Sequence, residues 1–281
     1  MFDRMRRGWQ LTKTAWSVIR SHPGLARLPL TGGALALLAA LVFALPGAAL
    51  LARDDASTGA QVGGVILIAS GAYLASFFVI YFNVALASAA DHAHNGQEPD
   101  IKAAHAVARS RLGVIASWAL VSVVVSLVLG AIRDRAGAAG DVMASLGGAI
   151  WSLVTFLVVP VLAFEGIGPF AAMKRSASLF RQRWGQQVTG NVVIGGVSGL
   201  FILLGGLVVV GGVALLATGN AGAQAGGGLL LVIGLVIALA AAVFAGATRG
   251  VFGVALYHYV SEDRAIGPFT PADLESAART R

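Results

Sequence analysis

The amino-acid sequence predicts an all-α membrane protein with six transmembrane helices arranged as three hairpins, each preceded by a cytoplasmic amphipathic interfacial helix. Hydrophobic residues make up 57% of the 281-residue chain and charged residues only 12%, about half of the ~25% typical of soluble domains. Six runs are apolar enough to cross a bilayer, which takes about 20 residues. Each lysine is followed seven residues later by an arginine, and each pair lies ahead of an apolar run.

The six predicted spans follow one another along the chain. They cover approximately residues 28–52, 62–86, 112–132, 142–164, 188–216 and 229–247. No residue between 185 and 248 is charged, but the small and polar stretch 217–228 divides this segment into two spans. Pro46 and Pro160 lie inside predicted spans, where the missing backbone N–H favours a kink.

A basic segment with an apolar stripe precedes the first, third and fifth spans. The stripes consist of Phe2, Met5, Trp9, Trp16 and Ile19, then Ile101, His105, Ala108 and Leu112, and then Phe170, Met173, Ala177, Phe180 and Trp184. Large aromatic residues flanked by cations are typical of a helix lying in the headgroup plane. A spacing of seven puts the Lys and Arg of each pair on one helix face. We therefore predict that lipid headgroups bind Lys13, Arg20, Lys102, Arg109, Lys174 and Arg181.

The three basic segments also resemble one another. KTAWSVIRS at 13–21 and KAAHAVARS at 102–110 are identical at five of nine positions, and KRSASLFRQ at 174–182 shares the Lys, the Arg and the apolar pair before it. This similarity predicts an internal three-fold repeat with units of about 1–95, 96–165 and 166–260. The units form a single membrane domain, 1–260, and residues 261–281 form a cytoplasmic tail.

The distribution of cations predicts the orientation. Of the 20 Lys and Arg residues, only Arg53, Arg133 and Arg135 fall on the side opposite the N-terminus. Because Lys and Arg are enriched in cytoplasmic loops, both termini are predicted to be cytoplasmic. The net charge of +7 is concentrated at the ends of apolar runs, which favours anionic lipid over nucleic acid as a partner.

No catalytic residue, cofactor or metal site is predicted. The chain has no cysteine, and Asp91, His92 and His94 are interpreted as a solvated loop rather than as metal ligands. His258 lies in the stretch LYHYV, whose aromatic residues suit an interfacial belt. The polar intramembrane candidates are Asn83, Thr155, Glu165 and Asn191, and Glu165 is expected to extend to the interface.

Several stretches carry a family resemblance: FFVIYFNVALASAA, WSLVTFLVVPVLAFEGIGPFAAMKRS and RQRWGQQVTGNV. Together they resemble an uncharacterised bacterial family of six-helix integral membrane proteins, from the N-terminus to about residue 260. The positions that match the family pattern include Asn83, Trp151, Thr155, Pro160, Glu165, Lys174, Ser176, Trp184, Gly185 and Asn191. The layout is more loosely similar to membrane domains that accompany glycerophosphodiester phosphodiesterases, but that enzyme's catalytic carboxylates and histidines have no counterpart. The resemblance implies a fold, an orientation and a bacterial inner membrane as the location, and no activity.

These features favour a non-enzymatic membrane protein that engages anionic lipids through its basic helices. Such a protein would organise the membrane or pass a lipid or small solute. An oligomeric channel or transporter is an alternative, and a homo-oligomer stays open. A lipid-acting enzyme is a further alternative, which convergence of Asn83, Glu165, Asn191 and a histidine in one cavity would favour.

Overall fold

A computed structural model describes residues 2–53, 55, 57–135, 137–184, 207–208, 210–215, 218 and 221–276. Every secondary-structure element assigned in these residues is a helix. In chain order they are α1 (Phe2–Ser21), α2 (Gly24–Leu51), α3 (Thr58–His94), α4 (Ile101–Ser110), α5 (Leu112–Arg135), α6 (Gly137–Thr155), α7 (Val158–Phe164), α8 (Pro169–Trp184), α9 (Ala221–Glu262) and α10 (Pro271–Ser276).

Four of these helices are long and apolar enough to cross a membrane. They are Gly24–Leu51, Thr58–His94, Leu112–Asp134 and Gly226–Glu262. In the most apolar part of each, no more than 22% of the residues are buried inside the protein. Large side chains such as Leu45 and Val232 are therefore exposed. Apolar surface on this scale is not stable in water, so these helices identify the chain as a membrane protein.

The fourth predicted span, 142–164, is divided between two helices. α6 ends at Thr155, and α7 begins at Val158 and contains Pro160 in its first turn. Proline fits a first turn because the N–H that it lacks would have no intrahelical partner there. At the break, the Leu157 N–H donates to the Ser176 hydroxyl of α8 at 3.3 Å. Pro46, by contrast, lies within the continuous helix α2.

Glycines allow the hairpin α2–α3 to pack closely. A Cβ added at Gly47 would lie 2.8 Å from the Gly64 carbonyl oxygen, and one added at Gly64 would lie 2.8 Å from the Gly47 carbonyl oxygen. The next hairpin, α5–α6, is antiparallel and is held by stacked Trp118 and Trp151 rings, whose centroids are 5.5 Å apart. The fifth predicted span, 188–216, lies mostly outside the described residues.

The buried core lies at one end of the bundle, where α3, α7 and α9 meet. We call this end the junction, defined by Leu86, Leu162 and Phe252, which are all almost fully buried. α3 and α9 run in the same direction, because Gly250 packs against Leu86 and His258 contacts Asp91. The polar groups at the C-terminal ends of α3, α7 and α9 are therefore brought together.

The three basic helices pack around the bundle in a cyclic order. α4 contacts α3, and α8 contacts α6 and α7. α1 contacts α9 more extensively than it contacts its own neighbour α2. Each basic helix thus packs against the helix that ends the preceding hairpin, and α1 packs against the last long helix of the chain.

The segment after α9 turns back onto the junction. Ile266, Phe269 and Leu274 are buried. A reciprocal cap begins α10: the Thr270 N–H donates to Asp273 Oδ2 at 3.0 Å, and the Asp273 N–H donates to Thr270 Oγ1 at 3.2 Å. The described part of the predicted C-terminal tail is therefore docked on the bundle.

Candidate functional site

All six predicted headgroup-binding side chains are exposed. We call them the basic collar: Lys13, Arg20, Lys102, Arg109, Lys174 and Arg181. In each of α1, α4 and α8, the residues two and six positions after the lysine are buried. These residues are Ala15 and Ile19, Ala104 and Ala108, and Ser176 and Phe180. The three helices therefore present their cations outward in one register, while the opposite face packs on the protein.

The apolar stripes predicted for these helices are partly wrong. Trp16 is 40% exposed and Phe170 is 75% exposed. The buried face of α1 instead includes Leu11 and Val18, which were not assigned to the stripe. Helical spacing predicted one apolar face. The face that packs against the bundle is rotated about the helix axis, so that part of the predicted aromatic face is exposed. The exposed aromatic rings lie close in sequence to collar cations.

Glu165, which was predicted to extend to the interface, is held by two partners at the junction. It follows α7 directly, and its Oε1 accepts hydrogen bonds from Arg175 Nε at 2.8 Å and from the Tyr257 hydroxyl at 2.9 Å. The hydrogen bond and the charge of Glu165 raise the pKa of the Arg175 guanidinium, which stays charged. One carboxylate therefore links the end of α7 to α8 and α9.

His258 lies between two carboxylates beside this linkage. Its Nε2 is 2.9 Å from Asp91 Oδ1 and its Nδ1 is 3.0 Å from Glu262 Oε1. The ring N–H directions do not give well-aligned hydrogen bonds, so these contacts are ion pairs by distance. The stretch around His258 does not form a lipid-facing aromatic belt, because Tyr257, His258 and Tyr259 are all buried.

The interpretation of the 91–94 segment as a solvated loop is also wrong. Asp91 and His94 belong to the last turn of α3, and His94 is 7% exposed. His94 Nε2 donates to the Val251 carbonyl of α9 at 2.9 Å. Within the described part of the chain, no group of three or more His, Asp or Glu residues could hold a metal ion.

Two other polar candidates, Asn83 and Thr155, do not join Glu165. The Asn83 amide donates to the Val79 carbonyl at 2.9 Å, and the Thr155 hydroxyl donates to the Trp151 carbonyl at 2.7 Å. Both bonds lie within one helix, as expected of polar side chains that satisfy themselves in lipid. Asn191 lies outside the described residues.

A groove of about 470 Å³ opens on the apolar half of α3. Ile66, Ala69, Ser70, Tyr73 and Leu74 line it. None of these side chains is charged, and only the hydroxyls of Ser70 and Tyr73 are polar. The groove therefore offers room for an apolar chain rather than a set of reactive groups.

The comparisons with known proteins now identify the family. A model for the family of unknown function DUF6159 matches residues 62–267. The chain belongs to DUF6159. The matched range of DUF6159 includes Asp91, Glu165 and His258, and it confirms the resemblance to an uncharacterised family. No curated protein and no solved structure matches the chain. The looser likeness to phosphodiesterase-associated membrane domains stays a prediction.

Sequence reasoning missed most of the polar groups that this DUF6159 protein brings together. Arg175, Tyr257 and Glu262 were not among the predicted site residues. One signal was available: a carboxylate follows the apolar run at the end of α3 and at the end of α7, as Asp91 and Glu165. His258 and Glu262 occupy the comparable end of α9.

Proposed function

We propose that this DUF6159 protein is a non-enzymatic inner-membrane protein with six crossings and cytoplasmic termini, and that its basic collar binds anionic lipid headgroups. The observation that carries the proposal is the common register of the collar. In three separate helices the cations are exposed on one face while the opposite face packs on the helical bundle. This arrangement suits cations that lie at headgroup level.

The course of the chain supports six crossings. α8 lies at the junction, since Ser176 contacts Leu157 and Arg175 contacts Glu165. α9 begins at the far end, because it runs parallel to α3. A crossing between α8 and α9 would connect these ends, and Gly212 packs against Gly227 and Leu231 of α9 as a hairpin partner would. The α6–α7 pair would provide the remaining crossing.

The cyclic packing supports a three-fold repeat. Each unit would consist of a basic helix and a hairpin, and the second helices of the three hairpins are α3, α6–α7 and α9. These three contact one another at the junction, and each receives the basic helix of the next unit. α1 completes the cycle on α9, which places the three Lys–Arg pairs around the bundle.

The free energy with which the basic collar attracts an anionic membrane can be estimated from its charge. One Lys or Arg close to an anionic membrane surface contributes about 1 kcal/mol of attraction. Three cations would therefore contribute about 3 kcal/mol, provided that they lie within the ~8 Å Debye length of physiological salt. Binding should weaken as the salt concentration rises.

A pair of triple variants with identical loss of charge tests the proposal. One variant carries Arg20→Gln, Arg109→Gln and Arg181→Gln, and the control carries Arg53→Gln, Arg133→Gln and Arg135→Gln. Each protein is reconstituted in nanodiscs of mixed phosphatidylglycerol and phosphatidylcholine, and the retained lipids are quantified by mass spectrometry at low and high salt. We expect the collar variant alone to lose enrichment of phosphatidylglycerol. Equal enrichment in both variants would remove the proposal.

The alternatives lack a comparable observation. Among the described residues, the groove on α3 is apolar, whereas passage of a solute requires a polar or hydrated path. Asn83 is bonded within its own helix and does not meet Glu165 and a histidine in one cavity. Lipid engagement is therefore the function that the geometry favours.

A further inference from the structure

The His258 ring lies between carboxylates at the ends of two helices. Its Nε2 is 2.9 Å from Asp91 Oδ1 in the last turn of α3, and its Nδ1 is 3.0 Å from Glu262 Oε1, one turn further along α9. Both ring nitrogens are buried, so they face the carboxylates rather than water. A neutral imidazole has one N–H group and one lone pair, whereas the charged ring has two N–H groups. Only the charged ring therefore suits a carboxylate at each of its nitrogens.

Asp91 depends on this ring for its counter-charge. Its side chain is only 25% exposed, and within the described part of the chain His258 is the one cationic group at ion-pair distance from it. The Asn95 side-chain amide also donates to Asp91 Oδ1, at 3.2 Å, but it carries no charge. Glu262, by contrast, has a second cation, because Arg264 Nε lies 3.7 Å from its Oε2. Loss of the ring charge therefore leaves Asp91 as a largely buried carboxylate without a cation, which is unfavourable.

The other groups near His258 come from α7, from α3 and from the end of α9. The Phe164 ring of α7 has its centroid 5.4 Å from that of His258. The buried His94 ring of α3 donates from Nε2 to the Val251 carbonyl, and its Nδ1 is buried without a partner in the described part of the chain, so this ring suits the neutral form. The titratable and charged groups around the His258 ring are thus Asp91 and His94 from α3, Tyr257 and Glu262 from α9, Arg264 beyond its end and, through Tyr257, Glu165 after α7.

We propose that His258 is a pH-sensitive clamp, which holds the ends of α3 and α9 together while its ring is charged and loosens them when its ring is neutral. Histidine is the side chain whose charge changes near neutral pH. The adjacent Tyr257 donates to Glu165 at the end of α7, so movement of this part of α9 also reaches α7. The clamp goes beyond the basic collar, which contains no histidine.

A double-mutant cycle measures the clamp in the full chain. The parent protein, Asp91→Asn, His258→Gln and the double variant are unfolded in mixed micelles of increasing denaturing-detergent content, followed by circular dichroism. The coupling is the ratio of unfolding constants around the cycle, so separate effects of the other histidines cancel. Measurements run from about pH 5.5 to about pH 9, a range that includes the ~6.5 of an unperturbed imidazole and keeps carboxyl groups ionised.

We expect a coupling of at least about fivefold at the acid end of this range, as for other residues in contact, and of about twofold or less at the alkaline end. The matched control is the cycle of Glu165→Gln and Tyr257→Phe, which joins α9 to the end of α7 and contains no histidine. Its coupling should be the same at both ends of the range. A coupling between Asp91 and His258 that is absent or independent of pH would overturn the proposal, and so would an equal change in both cycles.

Hydrogen exchange of the unaltered chain provides the test if a variant fails to fold. After correction for the intrinsic exchange rate, amides in the last turns of α3 and α9 should lose protection at least about threefold between the acid and the alkaline end, while amides in the middle of α5 should not. Unchanged protection of both helix ends would overturn the proposal. The collar variant with Arg20, Arg109 and Arg181 replaced by Gln should show the same pH dependence, so the two proposals can fail independently.

Discussion

The contact between α2 and α3 leads to a quantitative prediction about two adjacent glycines. A Cβ added at Gly64 would lie 2.8 Å from the Gly47 carbonyl oxygen and 2.9 Å from Leu51 Cγ. A Cβ added at Gly63 would have no atom within 4 Å. The two positions share one helix and the same substitution, so Gly63→Ala is a matched control for Gly64→Ala.

The expected difference can be estimated from two opposing effects. Replacing glycine by alanine within a helix stabilises it by up to about 1 kcal/mol, and both variants gain this equally. Overpacking costs about 1–3 kcal/mol, and only Gly64→Ala incurs it. Because the nearest neighbour is a backbone oxygen, it cannot rotate away as a side chain can. Gly64→Ala should therefore be about 1–3 kcal/mol less stable than Gly63→Ala.

Unfolding in mixed micelles of increasing denaturing-detergent content, followed by circular dichroism, measures this difference. The reciprocal variant Gly47→Ala should behave like Gly64→Ala, since its Cβ would meet the Gly64 carbonyl oxygen at 2.8 Å. Indistinguishable midpoints for Gly63→Ala and Gly64→Ala would show that the two helices do not approach so closely in the membrane.

Two further predictions concern the junction. Glu165→Gln should lower the free energy of unfolding by about 1–2 kcal/mol, and Tyr257→Phe should lower it by about 1 kcal/mol. The double variant should lose less stability than the sum of the two, because both substitutions affect the same hydrogen bond between these side chains. Strict additivity in the unfolding assay would contradict this. Gly267→Ala should destabilise the protein more than Gly96→Ala. Both glycines have positive φ, which alone costs about 1–2 kcal/mol, but only a Cβ at 267 would overlap the His94 ring. Equal unfolding midpoints for the two would argue against docking of the C-terminal segment.

The helices that cross the membrane were largely predictable, because apolarity and length are local properties. The runs at 62–86, 112–132 and 229–247 fall within long helices, and the run at 28–52 exceeds its helix by one residue. In the run at 142–164, Pro160 predicted a kink, but the sequence did not predict that the helix would end at Thr155 and a new one begin at Val158. The reason for this break is tertiary: the Ser176 hydroxyl of α8 accepts from the Leu157 N–H.

The exposed cations of the collar followed from the spacing of seven, which is also a local property. The junction was not predictable in the same way. Asp91 and His258 are far apart in sequence, and their contact depends on α3 and α9 running in parallel. The burial of His94 likewise depends on the carbonyl of Val251 and on the return of the segment around Gly267. No pattern within either helix encodes these partners.

The packing of α1 against α9 has a consequence for biogenesis. Synthesis proceeds from the N-terminus at about 5–20 residues per second, so roughly 10–50 s separate the emergence of α1 from that of its partner. During this interval the Leu11, Ala15 and Val18 face of α1 has no native surface to cover it. The nascent chain must shelter that face in the lipid interface or with an insertion factor, and the ring of helices closes only after α9 has been synthesised.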